Sequence, residues 1–124
     1  MISSQVYRIL VVDDLVDNLF LMQTLLETEG YVVDVANNGS LALNKIEASP
    51  PDLVLLDVMM PEINGYEVTR RIRQNDTLPF IPILLITAHE EPRVIEGLEI
   101  GANDFIRKPI DFDELLARIK GFCG

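Results

Sequence analysis

Five side chains with chemistry to offer each follow a short, wholly apolar run. Asp13 and Asp14 follow residues 9–12, Asp57 follows 53–56, Thr87 follows 83–86, and Lys108 comes just after 105–106. If those runs lie side by side, three carboxylates, a hydroxyl and an ammonium meet at one edge. Like carboxylates within a few ångströms resist joint ionisation, so either their pKa values rise or a cation neutralises them. An all-oxygen set of two or three carboxylates plus waters is Mg²⁺ chemistry, with Mn²⁺ able to substitute. Mg²⁺ keeps its waters and readily shares a site with phosphate. Lys108 brings a second positive charge, suited to pairing with a carboxylate and then with a phosphoryl oxygen. Thr87 can hydrogen-bond the same group.

Taken singly, each residue has an ordinary explanation. Asp13 or Asp14 could cap the helix that follows, Asp57 could be a turn residue, Thr87 a strand-end threonine and Lys108 a solvated lysine. Only the set, in this order on successive strands, points to a site.

The runs themselves read as strands. Residues 9–12, 53–56, 83–86 and the weaker 105–106 are apolar throughout, the pattern of parallel strands buried on both faces. Residues 31–35 alternate more, which suits a place nearer an edge. Helical patterns fall between: 19–29 ended by Gly30, 40–48 blocked by Pro50-Pro51, 66–73 with a basic side through Arg70, Arg71 and Arg73, and 93–100 ended by Gly101. A fifth, capped by Asp111 or Asp113, runs to about Phe122. Five alternations of strand and helix predict an α/β domain, a five-stranded parallel sheet covered on both faces. Right-handed crossovers favour the flavodoxin-like order 2-1-3-4-5. In such sheets ligands bind outside the carboxyl ends of the strands, where the five residues collect.

The 124 residues suit one domain spanning 1–124, and 48% hydrophobic content supports a core without disulfides. The one cysteine, Cys123, cannot form an internal bridge and reads as a bland tail thiol. No apolar stretch approaches a membrane span, and residues 1–5 lack the start of a signal peptide, so a cytoplasmic protein is expected. Twenty acidic against ten basic residues give a net charge of −10. Such a surface argues against direct nucleic-acid binding and suits a cation site. The acidic, glycine-free loop from Asp13 to Asn18 argues against a nucleotide or flavin pocket.

The segments Ile9-Leu10-Val11-Val12-Asp13-Asp14, Leu55-Leu56-Asp57-Val58-Met59-Met60-Pro61 with Asn64-Gly65, Ile86-Thr87-Ala88 and Phe105-Ile106-Arg107-Lys108-Pro109 resemble the receiver (CheY-like) domains of response regulators. The likeness covers essentially the whole chain. It looks nearest to receivers found in hybrid kinases or attached to diguanylate cyclases.

The resemblance implies that Asp57 is the phosphoacceptor, taking a phosphoryl group from a sensor histidine kinase, a histidine phosphotransfer protein or a small acyl phosphate. Asp14 would ligate Mg²⁺ directly and Asp13 through water, with Asp57 and the backbone carbonyl of Met59 as further ligands. Lys108 and Thr87 would bind phosphoryl oxygens, and Thr87 moving inward would make room for Phe105, the switch aromatic. The other reading of Phe105 is a permanent core residue. The Lys108–Pro109 bond resembles one that is cis in the family. Met59 and His89 would flank the path of the hydrolytic water, although His89 also reads as a loop histidine with no role. The implied protein is a signalling switch rather than a turnover enzyme; a phosphatase of comparable fold would carry an acid where Met59 stands.

Downstream, the resemblance implies an effector domain or protein, and a homodimer through the face of the fourth helix, fifth strand and fifth helix. Asp104, Glu114, Arg118 and Lys120 could form a charged version of that face. Val94 and Asn103 fall where one familiar dimer pattern carries charges, which argues against that network. No DNA-binding, cyclase or kinase segment is present within the 124 residues, so the domain either acts alone by protein contact or belongs to a longer chain.

Overall fold

The computed structural model describes residues 5–88 and 91–123, and for residues 91–94 the backbone alone. His89 lies outside the described residues, as does the side chain of Val94. Five strands and five helices alternate: β1 (Arg8–Val12), α1 (Val16–Thr28), β2 (Val32–Ala36), α2 (Gly39–Ala48), β3 (Leu53–Asp57), α3 (Gly65–Gln74), β4 (Ile83–Thr87), α4 (Glu91–Ile100), β5 (Asp104–Arg107) and α5 (Phe112–Cys123). The strands form one parallel sheet in the order β2-β1-β3-β4-β5, as expected.

Successive residues of a strand face opposite sides, so each apolar run feeds two cores at once. Leu10, Val12, Val54, Leu56, Ile83 and Leu85 pack with Ala42, Ile46, Val68 and Ile72 of α2 and α3. Ile9, Val11, Leu53, Leu55, Leu84 and Ile86 pack with Leu19, Met22, Leu26, Leu115 and Ile119 of α1 and α5. All five residues of β3 and of β4 are buried. Edge strand β2 has two exposed residues, Val32 and Asp34.

Local chemistry sets the helix starts. The Asn38 side chain accepts the Leu41 N–H at 2.8 Å and that of Asn64 accepts the Glu67 N–H at 3.0 Å, capping α2 and α3. Asp111, rather than Asp113, caps α5, its carboxylate accepting the N–H groups of Asp113 and Glu114. Helix α1 begins three residues before the apolar periodicity suggests. Its N-cap is Leu15, whose side chain makes no capping bond, so neither Asp13 nor Asp14 serves as the cap.

Two expectations are corrected at the other end of the sheet. Arg70 and Arg71 are exposed and paired with Glu67, but Arg73 is not part of that solvated side. Its guanidinium donates to the Gly101 carbonyl and to Asn103 Oδ1, both at 2.9 Å, and lies 4.9 Å from the centre of the Phe80 ring. A Cβ on Gly101, which has φ +131°, would sit 2.7 Å from Arg73 Cγ, so both conformation and space require glycine there. Cys123 is not a loose tail thiol. It is 2% exposed and packs into the core shared with α1.

Burial pushes the Cys123 thiol up to about 11, and the charge of Asp52 adds to that. The thiolate is the reactive form, so at pH 8 the folded protein should react with a thiol reagent on the order of 100-fold more slowly than the denatured chain. Thiol titration with and without denaturant measures this; equal rates would contradict the burial of Cys123.

Candidate functional site

Strand register decides which residues meet. Val12 is level with Leu56, so Asp13 stands level with Asp57 at the carboxyl edge. Asp57 is level with Ile86, and Thr87 with Arg107. Backbone bonds carry the edge beyond the strands. The Asp13 N–H donates to the Ala36 carbonyl, that of Val58 to Ile86, and that of Lys108 to Thr87 at 2.9 Å. Lys108 is thereby held beside the ends of β3 and β4, and the Lys108–Pro109 peptide is cis.

The loop after Asp57 is drawn tight against α3. The Gly65 N–H donates to the Val58 carbonyl at 3.0 Å. A Cβ on Gly65 would sit 2.7 Å from the Asp57 carbonyl oxygen and 2.8 Å from Val58 Cα. Both neighbours are backbone and cannot step aside, so any larger residue would displace the strand end that carries Asp57.

Asp13, Asp14 and Asp57 each present a carboxylate oxygen within 4.8 Å of the others. Asp57 is 2% exposed. Its Oδ1 is paired with Lys108 Nζ at 3.0 Å and accepts a long bond of 3.4 Å from the Met59 N–H. Among the described residues its Oδ2 takes no hydrogen bond, which leaves that oxygen for chemistry. Asp13 accepts from the Leu15 N–H at 2.9 Å and from the Asn18 side-chain amide at 3.1 Å. Asp14 is half-buried and takes no hydrogen bond among the described residues. Thr87 is fully buried at the end of β4.

Burial pushes the Asp57 carboxyl above the ordinary carboxylate value. Lys108 acts the other way, the Asp13 charge reinforces the rise, and the net effect is upward. A buried carboxylate with one cation and two acidic neighbours is therefore short of positive charge. The donor set is all oxygen, hard and unsaturated, and fits a small divalent cation.

The five side chains read from the sequence thus come to one edge. Phe105, on β5, is half-buried against the core shared with α2 and α3 rather than in the acidic cluster, and its carbonyl accepts from Arg118 at 3.2 Å. Asn18 joins the five as a donor to Asp13, a contact that depends on an α1 start the apolar pattern does not mark.

A model of the response regulator receiver domain matches residues 9–120. Response regulator ArlR of Staphylococcus epidermidis is 44% identical over 114 residues, covering 91% of this chain and 51% of that protein. Response regulator PleD of Caulobacter vibrioides is 45% identical over 114 residues, 91% of this chain and 25% of that protein. The chain therefore spans about half the length of the first relative and a quarter of the second. Among solved structures, the signal receiver domain of a histidine kinase from Syntrophus aciditrophicus superposes with a TM-score of 0.86 at 35% identity, over 94% of this chain and 89% of that one.

The raised Asp57 value has a consequence for stability. A carboxyl whose folded pKa lies above its unfolded one stabilises the fold while protonated, and that contribution is lost as pH rises through the folded value. In metal-free buffer at pH 7, Asp57→Asn should therefore raise the melting temperature, by about 4 °C for each kcal/mol relieved. The advantage should shrink as the pH falls toward about 4. Thermal unfolding across that range checks it; a lower melting temperature for the variant at pH 7 would contradict the direction given.

Proposed function

The chain belongs to the response regulator receiver domain family of two-component signalling, and we propose that it works as a phosphorylation switch with Asp57 as acceptor. The observation that carries this is the buried Asp57 carboxylate, one oxygen paired with Lys108 and the whole group set against Asp13 and Asp14.

The Asp57 carboxylate attacks the phosphorus of a phosphohistidine on a sensor kinase or phosphotransfer protein. An O–P bond forms as the N–P bond breaks, and the imidazole leaves. Lys108 orients Asp57 beforehand and afterwards binds a phosphoryl oxygen, so its charge is in place throughout. Asp14, Asp57 and the Met59 carbonyl would ligate Mg²⁺ directly and Asp13 through water, with Mn²⁺ as substitute. Bound there, the cation supplies positive charge against the negative charge gathering on the transferred group.

Several exposed apolar side chains adjoin this edge. Leu15, Val16, Phe20 and Leu21 are each more than half exposed at the start of α1. Leu21 also lines a cleft of about 310 Å³ that Asp13, Lys108 and Phe112 border. Such a surface beside the acceptor suits the docking of a phosphodonor protein.

Once Asp57 carries the phosphoryl group, the Thr87 hydroxyl turns toward it and Phe105 moves into the space released. The output then passes through the α4-β5-α5 face to an effector domain or protein, or to a second copy of the chain. On that face Arg118 pairs with Asp104 at 2.6 Å and donates to the Phe105 carbonyl. Glu114 and Lys120 stand exposed on the same helix. Asn103 is committed elsewhere, its side chain accepting from Arg73 and from the Ile83 N–H. The domain is a switch rather than a turnover enzyme, and a cytoplasmic place suits its partners. Among the described residues no helix is long and apolar enough to cross a membrane.

Incubation with Mg²⁺ and acetyl phosphate, read by intact mass, tests the reading. One base-labile phosphoryl adduct is expected, absent without Mg²⁺ and absent from Asp57→Asn. Lys108→Ala should slow its formation on the order of 100-fold. An adduct that persists in Asp57→Asn would move the acceptor elsewhere.

A further inference from the structure

Asp13 and Asp14 are adjacent in sequence but chemically unequal. Both oxygens of Asp13 are engaged, Oδ1 by the Leu15 N–H at 2.9 Å and Oδ2 by the Asn18 amide at 3.1 Å. Asp14 takes no hydrogen bond among the described residues. One carboxylate is fixed in place and its neighbour is left to turn.

Asn18 sits in the first turn of α1, half-buried, on the wall of the cleft that Asp13 and Lys108 also border. Facing a carboxylate, its amide must present the NH₂ end, because the carbonyl end would set two acceptors against each other. The type of donor matters as much as its position. A lysine or arginine there would hold Asp13 equally well but would cancel negative charge that the cluster needs to attract a cation. An aspartate would repel Asp13 instead. A neutral amide fixes the carboxylate and leaves its charge available.

We propose that Asn18 is a positioning residue for the divalent-cation site, acting through Asp13. This rests on the reading of the acidic cluster as an Mg²⁺ site. Outer partners of metal-binding carboxylates act by orienting them before the metal arrives. With the Asn18 N–H in place the Asp13 carboxylate has little rotational freedom to lose on binding. Asp13 is thus held in one orientation, while the Asp14 carboxylate is left to turn.

The test is metal binding alone, with no phosphodonor present. Calorimetric titration with Mg²⁺ and with Mn²⁺ would be run on the native protein, Asn18→Leu, Asp13→Asn and the double variant. Asn18→Leu keeps the volume and removes the donor, so it should weaken both metals by about tenfold, within the range typical of such outer partners. In the Asp13→Asn background the same change should have almost no further effect, since its target is gone. Asn18→Gln, which retains the NH₂ on a longer stem, should recover part of the loss. Melting curves of the metal-free proteins verify that each variant is folded, with Asn18→Ala replacing any that is not.

Native affinity in Asn18→Leu would overturn the proposal, as would an equal loss with and without the Asp13 carboxylate. Failure of the native protein to bind either metal would instead sink the Mg²⁺ reading, and the role of Asn18 with it. The two failures are therefore told apart by the first titration.

Discussion

The whole arrangement depends on keeping a carboxylate charged where it is costly to do so. Asp57 stands at the end of a strand buried on both faces, with a second aspartate level with it just beyond the neighbouring strand. Low polarity strengthens every charge interaction at such a place, the repulsion from Asp13 as much as the attraction to Lys108. The fold answers by fixing positions. Lys108 is tied by its backbone to Thr87, the Val58 N–H to Ile86, and α3 is pressed against the Asp57 backbone through the missing side chain of Gly65. None of these contacts removes the charge imbalance. They hold it in a defined geometry.

That rigidity comes from the same feature that makes the fold legible. A strand buried on both faces must be apolar at consecutive positions, so β1, β3 and β4 announce themselves without any periodicity to weigh. The residues that break each run are those that emerge at the sheet edge, which is why their convergence there could be read from the sequence. The extra information in register is small but decisive. A slip of one residue would turn each side chain to the opposite face and take Asp13 away from Asp57.

What the sequence hid lies where chemistry depends on contacts across the chain. Helix α1 starts at Val16 because the chain turns after Asp14, and not because of a capping side chain, so apolar spacing placed its start too late. Asn18 then looks like any polar helix residue, since nothing five positions away in sequence marks it as a partner of Asp13. Arg73 reads as the third member of a basic stripe, yet it spans to Gly101 and Asn103, 28 and 30 positions on. Cys123 sits beside the chain end in sequence but inside the core in space. For Arg73 and Cys123 the local pattern was ordinary and a long-range neighbour decided the outcome, whereas at α1 a turn without a capping side chain did.

The donors around the cluster follow a common rule. Among the described residues three carboxylates face a single ammonium, and the other hydrogen bonds to Asp13 and Asp57 come from the Leu15 and Met59 backbone and the Asn18 amide, all neutral. Neutral donors orient a carboxylate without consuming its charge, whereas each further cation would have lowered the charge left for a ligand. With its carboxylates ionised the site carries a double negative charge, which one divalent cation offsets. A second lysine in place of the amide would leave the local packing satisfied and the cation without a reason to bind. The neutral partners, as much as the number of aspartates, are what fit this cluster to a cation.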